Sequence, residues 1–224
     1  MKQKHAIYPI IMSICALFCF IAIAAWFSQA VQPPWGGIML LIMPALLLGI
    51  LAFFAAKGKL TALAIWIWTT VLAVVLFLAS ALYVPVLTVW TATTTTTDIG
   101  YYHRAYAQIG EVDGVKAVFP RAIPADAEDI SFTYSPPFLQ GGEVFELSYT
   151  TTTEKLAEWA ECLTGESEWI GSNQAWHTEH NWFLSDADAT RYQLFWDGGY
   201  NHGEICYVLI DENAGRITFY YSRW

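Results

Sequence analysis

No aspartate or glutamate occurs in the first 97 residues, and the only Lys or Arg side chains there are Lys2, Lys4, Lys57 and Lys59. A water-facing surface needs far more charge than that, so this half is excluded as a soluble domain. Other absences narrow the chemistry. No Gly-x-Ser-x-Gly elbow and no phosphate-cradling glycine loop occurs, which removes the motif-based cases for a serine hydrolase and for a nucleotide-binding enzyme. No cofactor-binding motif is present, no internal repeat is visible, and cysteine is limited to Cys15, Cys19, Cys162 and Cys206.

What the chain does contain is apolar length. Three runs, from about Ala6 to Ala30, Ile38 to Ala56 and Leu60 to Val84, lack charged side chains altogether. Each has about the 20 residues needed to cross a hydrocarbon core of roughly 30 Å. Pro33, Pro34, Gly36 and Gly37 mark the first turn, and Lys57-Gly58-Lys59 the second. Pro44 can kink the second span, as membrane helices tolerate. With three crossings, all four lysines fall on one side, which the positive-inside rule makes cytoplasmic. Trp26, Trp35 and Trp90 fit aromatic anchors at the opposite interface. The expected topology is N-terminus in, C-terminus out. A signal peptide cleaved near Ser28-Gln29-Ala30 is the rival reading, disfavoured because its apolar run exceeds the usual 7 to 15 residues.

All 20 acidic residues lie in 98–224, beside seven basic ones. That excess repels phosphate and excludes nucleic acid as a partner. The organisation expected is a transmembrane anchor over 1–90, a Thr-rich linker over 91–97 and an extracytoplasmic α+β domain over 98–224. Asp98 reads as the cap of a helix over 99–109. Thr151-x-x-Glu154 has capping-box spacing and opens a second helix with Leu156, Trp159, Ala160 and Leu163 as its stripe, stopped by Gly165. Alternating runs at 130–134, 144–149, 192–196, 205–210 and 217–221 predict an antiparallel sheet of about five strands.

The stretch Phe119-Pro-Arg-Ala-Ile-Pro124, with Phe132, Tyr134, Pro136, Phe138-Leu-Gln-Gly-Gly142 and Leu147-Ser-Tyr149, resembles uncharacterised extracytoplasmic domains of Gram-positive bacterial membrane proteins. The resemblance implies a cell-envelope location and carries no activity with it.

Candidate sites are few. Cys162 and Cys206, if outside the cytosol, are candidates for a disulfide closing a loop of about 45 residues, worth roughly 4 kcal/mol in the chain-entropy model. His177 and His180, with His202 or Glu204 as a third ligand, form a possible metal set, although His-x-Glu-His matches neither zinc-protease order and its surroundings read as loop. Trp176, Trp182, Trp196 and Tyr200 with Asp197 and Asn201 combine flat rings with carboxylate and amide groups, the composition of a sugar- or peptide-contacting surface. The bland alternative is that these rings fill the core. The expectation is a non-enzymatic module bound to the lipid bilayer, contacting an envelope glycan, a peptide or a membrane-protein partner. A metal-dependent hydrolase and a transporter's accessory subunit are the alternatives.

Overall fold

A computed structural model describes residues 6–109, 115–138, 142–180, 186–199 and 202–224. The chain divides into two compact units, Met1–Thr91 and Ala92–Trp224. The first is helical: α1 (Ile7–Phe27), α2 (Trp35–Leu40), α3 (Met43–Ala56) and the greater part of α4 (Ala62–Thr93). Three spans in it, α1, the α2–α3 pair and α4, are long and apolar enough to cross a membrane.

Several boundaries depart from the sequence expectation for definable reasons. Gly36 and Gly37 lie inside α2 rather than in the turn, which is made by residues 28–32 ahead of Pro33 and Pro34. The break between α2 and α3 falls at Leu41 and Ile42, just ahead of Pro44. A proline cannot donate the helical bond to the residue four positions earlier, so the chain is interrupted there. Pro85, by contrast, sits within α4, which continues to Thr93. Beyond the proline, the hydroxyls of Thr88 and Thr91 donate to the carbonyls of Val84 and Leu87. At 1.5 Å per residue these 32 residues extend about 48 Å, more than a hydrocarbon core requires.

Small residues set the packing of α1 on α3. Ser13 Oγ donates to the Ala45 carbonyl at 2.8 Å, and a Cβ built on Gly49 would lie 3.4 Å from Ser13 Oγ. Ala45 and Gly49 have the small-xxx-small spacing that lets membrane helices approach closely. The α3–α4 turn closes with Gly58 at φ +68°, its N–H on Ala55 and the N–H of Lys59 on Phe54. That pair of bonds is a Schellman cap, which explains a glycine between the two lysines.

Gly37 is the tightest point in this unit. A Cβ there would lie 2.6 Å from Leu87 Cδ2 and 3.0 Å from the Tyr83 hydroxyl. The contact joins α2 to α4 around buried Ile38, Leu41 and Leu87. Gly37→Ala is therefore expected to destabilise the helical unit by about 1–3 kcal/mol, as overpacking does. Thermal unfolding of the full chain in detergent should show it. Gly36→Ala, which meets nothing within 4 Å, is the matched control.

The second unit is α+β. A 3-10 turn (Ile99–Tyr101), capped by Asp98 through the Gly100 N–H at 2.9 Å, leads into α5 (Tyr102–Gln108). Then follow α6 (Val115–Val118), β1 (Glu128–Ser135), β2 (Glu143–Thr150), α7 (Thr153–Glu166), β3 (Trp169–Ser172), α8 (Asn173–His180), β4 (Thr190–Asp197), β5 (Glu204–Asp211) and β6 (Arg216–Arg223). The six strands are ordered β1-β2-β6-β5-β4-β3, with every neighbouring pair antiparallel. Thr96 of the Thr-rich segment forms a bridge with Tyr134 on the outer edge of β1. The cap of α7 is Thr152 and its end is at Ser167, not the Thr151 and Gly165 expected; Thr151 is engaged with Gly215 and Asp126.

Side-chain alternation gives the sheet two unlike faces. Across strands β1, β2, β6, β5 and β4, one row reads Phe132, Leu147, Phe219, Val208 and Tyr192. This face is the aromatic core. Tyr102 packs on Phe132 and Phe145, Phe119 on Phe145 and Phe219, and Trp159 of α7 on Phe219. The adjacent row faces the other way: Thr133, Glu146, Tyr220, Tyr207, Gln193 and, on β3, Trp169. That second face is polar toward β1 and β2 but carries its own apolar cluster, Ile205, Tyr207 and Leu209, at the β3–β5 end, where α8 lies over it.

Candidate functional site on the polar face of the sheet

Helix α8 carries one large apolar residue, Trp176, so its own sequence gives it little reason to form. It is held from outside. The Asn173 N–H donates to Ala189 O at 3.0 Å, its Nδ2 donates to Asp186 O at 3.3 Å, and its Oδ1 accepts from Arg191 Nε at 2.8 Å. Trp176 is 2% exposed and clusters with Ala189, Ile205, Tyr207 and Leu209.

Arg191 is the centre of the arrangement. It is 1% exposed, and its guanidinium carbon lies 3.9 Å from the Trp176 ring centroid and 3.6 Å from that of Tyr207. A planar group that close to two ring centroids lies between the rings. The stack extends in both directions: His180 lies flat on Trp176 at 4.1 Å, and Tyr207 on Tyr220 at 4.8 Å. A column of His180, Trp176, Arg191, Tyr207 and Tyr220 thus runs from α8 across β4, β5 and β6.

The guanidinium has no carboxylate partner among the described residues; it donates to neutral amides, Asn173 Oδ1 and, at 3.0 Å, Gln193 Oε1. Burial pulls its pKa down to about 10. Gln193 is fixed in turn at the bulge between Gln193 and Phe195, where its Nε2 donates to the carbonyls of Phe195 and, at 2.9 Å, Cys206. Cation–π contact on two faces replaces the missing ion pair.

At the open end of the column, burial raises the pKa of Glu146, and the charge of Asp186 raises it further. Next to these groups, β2 and β6 carry buried hydroxyls: Ser148 Oγ accepts from Thr218 at 2.9 Å and from half-buried Arg216 at 3.0 Å. Rings, hydroxyls, a carboxylate and a guanidinium on one sheet face can bind a polar ligand.

Histidine placement differs from the loop expected. His177 and His180 both lie on α8, and His177 is 5% exposed with neither ring nitrogen hydrogen-bonded. His180 Nδ1 donates to the Trp176 carbonyl at 2.9 Å. His202 is exposed, just ahead of β5, and among the described residues no group of three His, Cys, Asp or Glu side chains has metal-binding geometry. The proposed trio is therefore not brought together.

Trp176 is core rather than a contacting surface, because Arg191 and the β5 side chains enclose it. Trp196 is half-buried against it, with ring centroids 5.7 Å apart. Asp197 is exposed at the end of β4 and accepts from the Gly199 N–H at 3.2 Å. Trp182, Tyr200 and Asn201 lie outside the described residues. Arg191, Tyr207, Tyr220 and Glu146 were not singled out from sequence. The available signal was one arginine immediately before an aromatic strand.

The disulfide expectation is overturned. Cys162 and Cys206 are both free thiols, the first exposed on α7 and the second fully buried on β5. Cys162 lies roughly 100° round the helix from the Leu156–Leu163 stripe, so it points away from the sheet. Burial pushes the Cys206 thiol well above its ordinary pKa. In a chain with Cys15 and Cys19 replaced by serine, a maleimide should modify Cys162 within minutes and Cys206 only after denaturation. Oxidant-free protein should show no mobility change on reduction. Equal labelling rates in native protein would contradict this placement.

No protein-family model matches the chain, and no curated protein or solved structure is significantly similar to it.

Proposed function

We propose that this chain is a non-enzymatic, membrane-anchored module of a bacterial cell envelope, with its acidic α+β unit held outside the cytoplasm to bind or assemble. The supporting observation is the charge partition. Three apolar spans hold no acid, the lysines fall at their ends, and all 20 acids belong to the other unit. Three crossings with lysines on the inner side leave that unit outside. The resemblance of 119–149 to Gram-positive extracytoplasmic domains points the same way.

Binding is assigned to the β2–β6 part of this sheet face, around half-buried Glu146, Arg216 and Tyr220, with Ser148 beneath them. Hydroxyls beside a ring and two opposite charges suit an envelope glycan or its peptide. Isothermal titration of the full chain in micelles with solubilised muropeptides, and with the same peptides lacking sugar, tests this. Saturable binding weakened at least tenfold by Arg216→Ala supports the assignment. No heat with either ligand rejects it and leaves a membrane-protein partner, sought by co-purification in mild detergent.

A further inference from the structure

We propose that α8 is an acid-released latch, in which a proton taken up by His177 frees the helix from the polar face of the sheet. The geometry that carries this is a buried imidazole with nowhere to put a charge. His177 is 5% exposed, and both of its ring nitrogens lack a hydrogen-bond partner. Its ring meets Trp176 edge-on at 5.7 Å.

The groups around it offer no compensation. From β4 it faces Arg191, which has no carboxylate partner among the described residues, and from its own helix His180; Glu179, the one acid of α8, is exposed two positions on. β3 has no ionisable side chain, and β5 contributes Tyr207, a neutral phenol. Asp186, ahead of β4, acts electrostatically on Glu146 and Tyr207. Residues 181–185, Asn-Trp-Phe-Leu-Ser, contain no acid in their sequence. A protonated His177 would be a second cation beside Arg191, which no carboxylate among the described residues pairs.

The sign follows from linkage. Burial first, then Arg191 and His180, hold the His177 pKa below its ordinary value. The closed helix therefore favours the neutral ring. Its stability is complete above the ordinary histidine pKa of about 6.5 and is lost progressively as pH falls from there through the depressed value. Glu143 and Glu146 carry pKa values raised chiefly by burial, so their protonation stabilises the fold as pH falls. The two effects have opposite signs, and a His177 variant separates them.

Local opening is feasible because α8 is eight residues long and packs on one separate cluster, Ile205, Tyr207 and Leu209, while the Phe145–Phe219 core lies on the other face of the sheet. Its release would expose Trp176 and the guanidinium between its rings, without disturbing Phe145 or Phe219.

Hydrogen exchange of the full chain in micelles, corrected for intrinsic rates between pH 7.5 and 5.0, tests the latch. Amide protection across 173–180 should fall about tenfold per pH unit once opening takes up a proton, while β5 and β6 stay protected. His177→Phe should abolish the dependence. Unchanged α8 protection in the wild type, or an equal loss in H177F, overturns the proposal. Should H177F fail to fold, the imidazole C2–H of His177 in the wild-type chain decides. A midpoint below 6.5 that coincides with α8 opening supports it, and a midpoint at or above 6.5 refutes it. Neither result depends on which ligand, if any, the β2–β6 part of the face binds.

Discussion

Replacing Arg191 with alanine is expected to lower the stability of the sheet-bearing unit by about 3–5 kcal/mol, the scale seen when a large buried side chain with polar partners is removed. The truncation empties the space between Trp176 and Tyr207. It also leaves Asn173 Oδ1 and Gln193 Oε1 buried without their donor. Arg191→Lys should cost nearly as much, because an ammonium neither stacks between two rings nor reaches both amides. Arg191→Met should cost less. It fills the slot, and it removes a cation whose desolvation no carboxylate among the described residues offsets. Denaturant unfolding followed by near-ultraviolet circular dichroism would rank the three. Equal losses for Met and Ala would mean that burying the charge carries little penalty.

Phe219→Ala should be comparably severe, at about 3–5 kcal/mol, on the opposite face of the same sheet. Phe219 is fully buried on β6, paired with β2 and β5, and its ring contacts Phe119, Tyr149 and Trp159. One truncation there loosens α7, the segment after α6 and the sheet centre together. Ile130→Ala, at 41% exposure on edge strand β1, should stay within about 0.5 kcal/mol. Similar losses at both positions would mean that the aromatic face is not the core.

The two substitutions also separate what the sequence discloses from what it hides. Phe219 sits in an alternating run, Ile217 to Tyr221, whose period of two is visible without any knowledge of its neighbours. The β4–β5–β6 meander and the β1–β2 pair were legible for that reason, and the three apolar spans because charge is simply missing from them. Helix α8 was not legible. Its order comes from Arg191, a residue eleven positions beyond its last turn, through contacts that no local pattern encodes. Strand β3 escaped because four residues containing Gly171 show no alternation. The end of the third span was misjudged because Pro85 reads as a stop, whereas a helix with threonine hydroxyls on its carbonyls runs past it.

The disulfide expectation illustrates a different limit. Spacing and compartment make a pairing plausible, but helical phase decides which way a thiol points, and Cys162 is on the wrong side of α7. The site fared in the same manner. Concentration of tryptophan and histidine around 169–202 drew attention to α8 and β4, but the binding surface proposed here lies on β2 and β6, outside that stretch. Whether a given ring binds or packs depends on what lies above it, and Arg191 lies above Trp176.

Native Cys162 supplies the most direct test of the account, because it is an exposed thiol on the acidic unit. Spheroplasts expressing the chain with Cys15 and Cys19 replaced by serine would be treated with a membrane-impermeant maleimide before and after permeabilisation. Full labelling of Cys162 on intact spheroplasts is the predicted result. Labelling only after the membrane is opened would place the acidic unit in the cytosol and contradict the proposal.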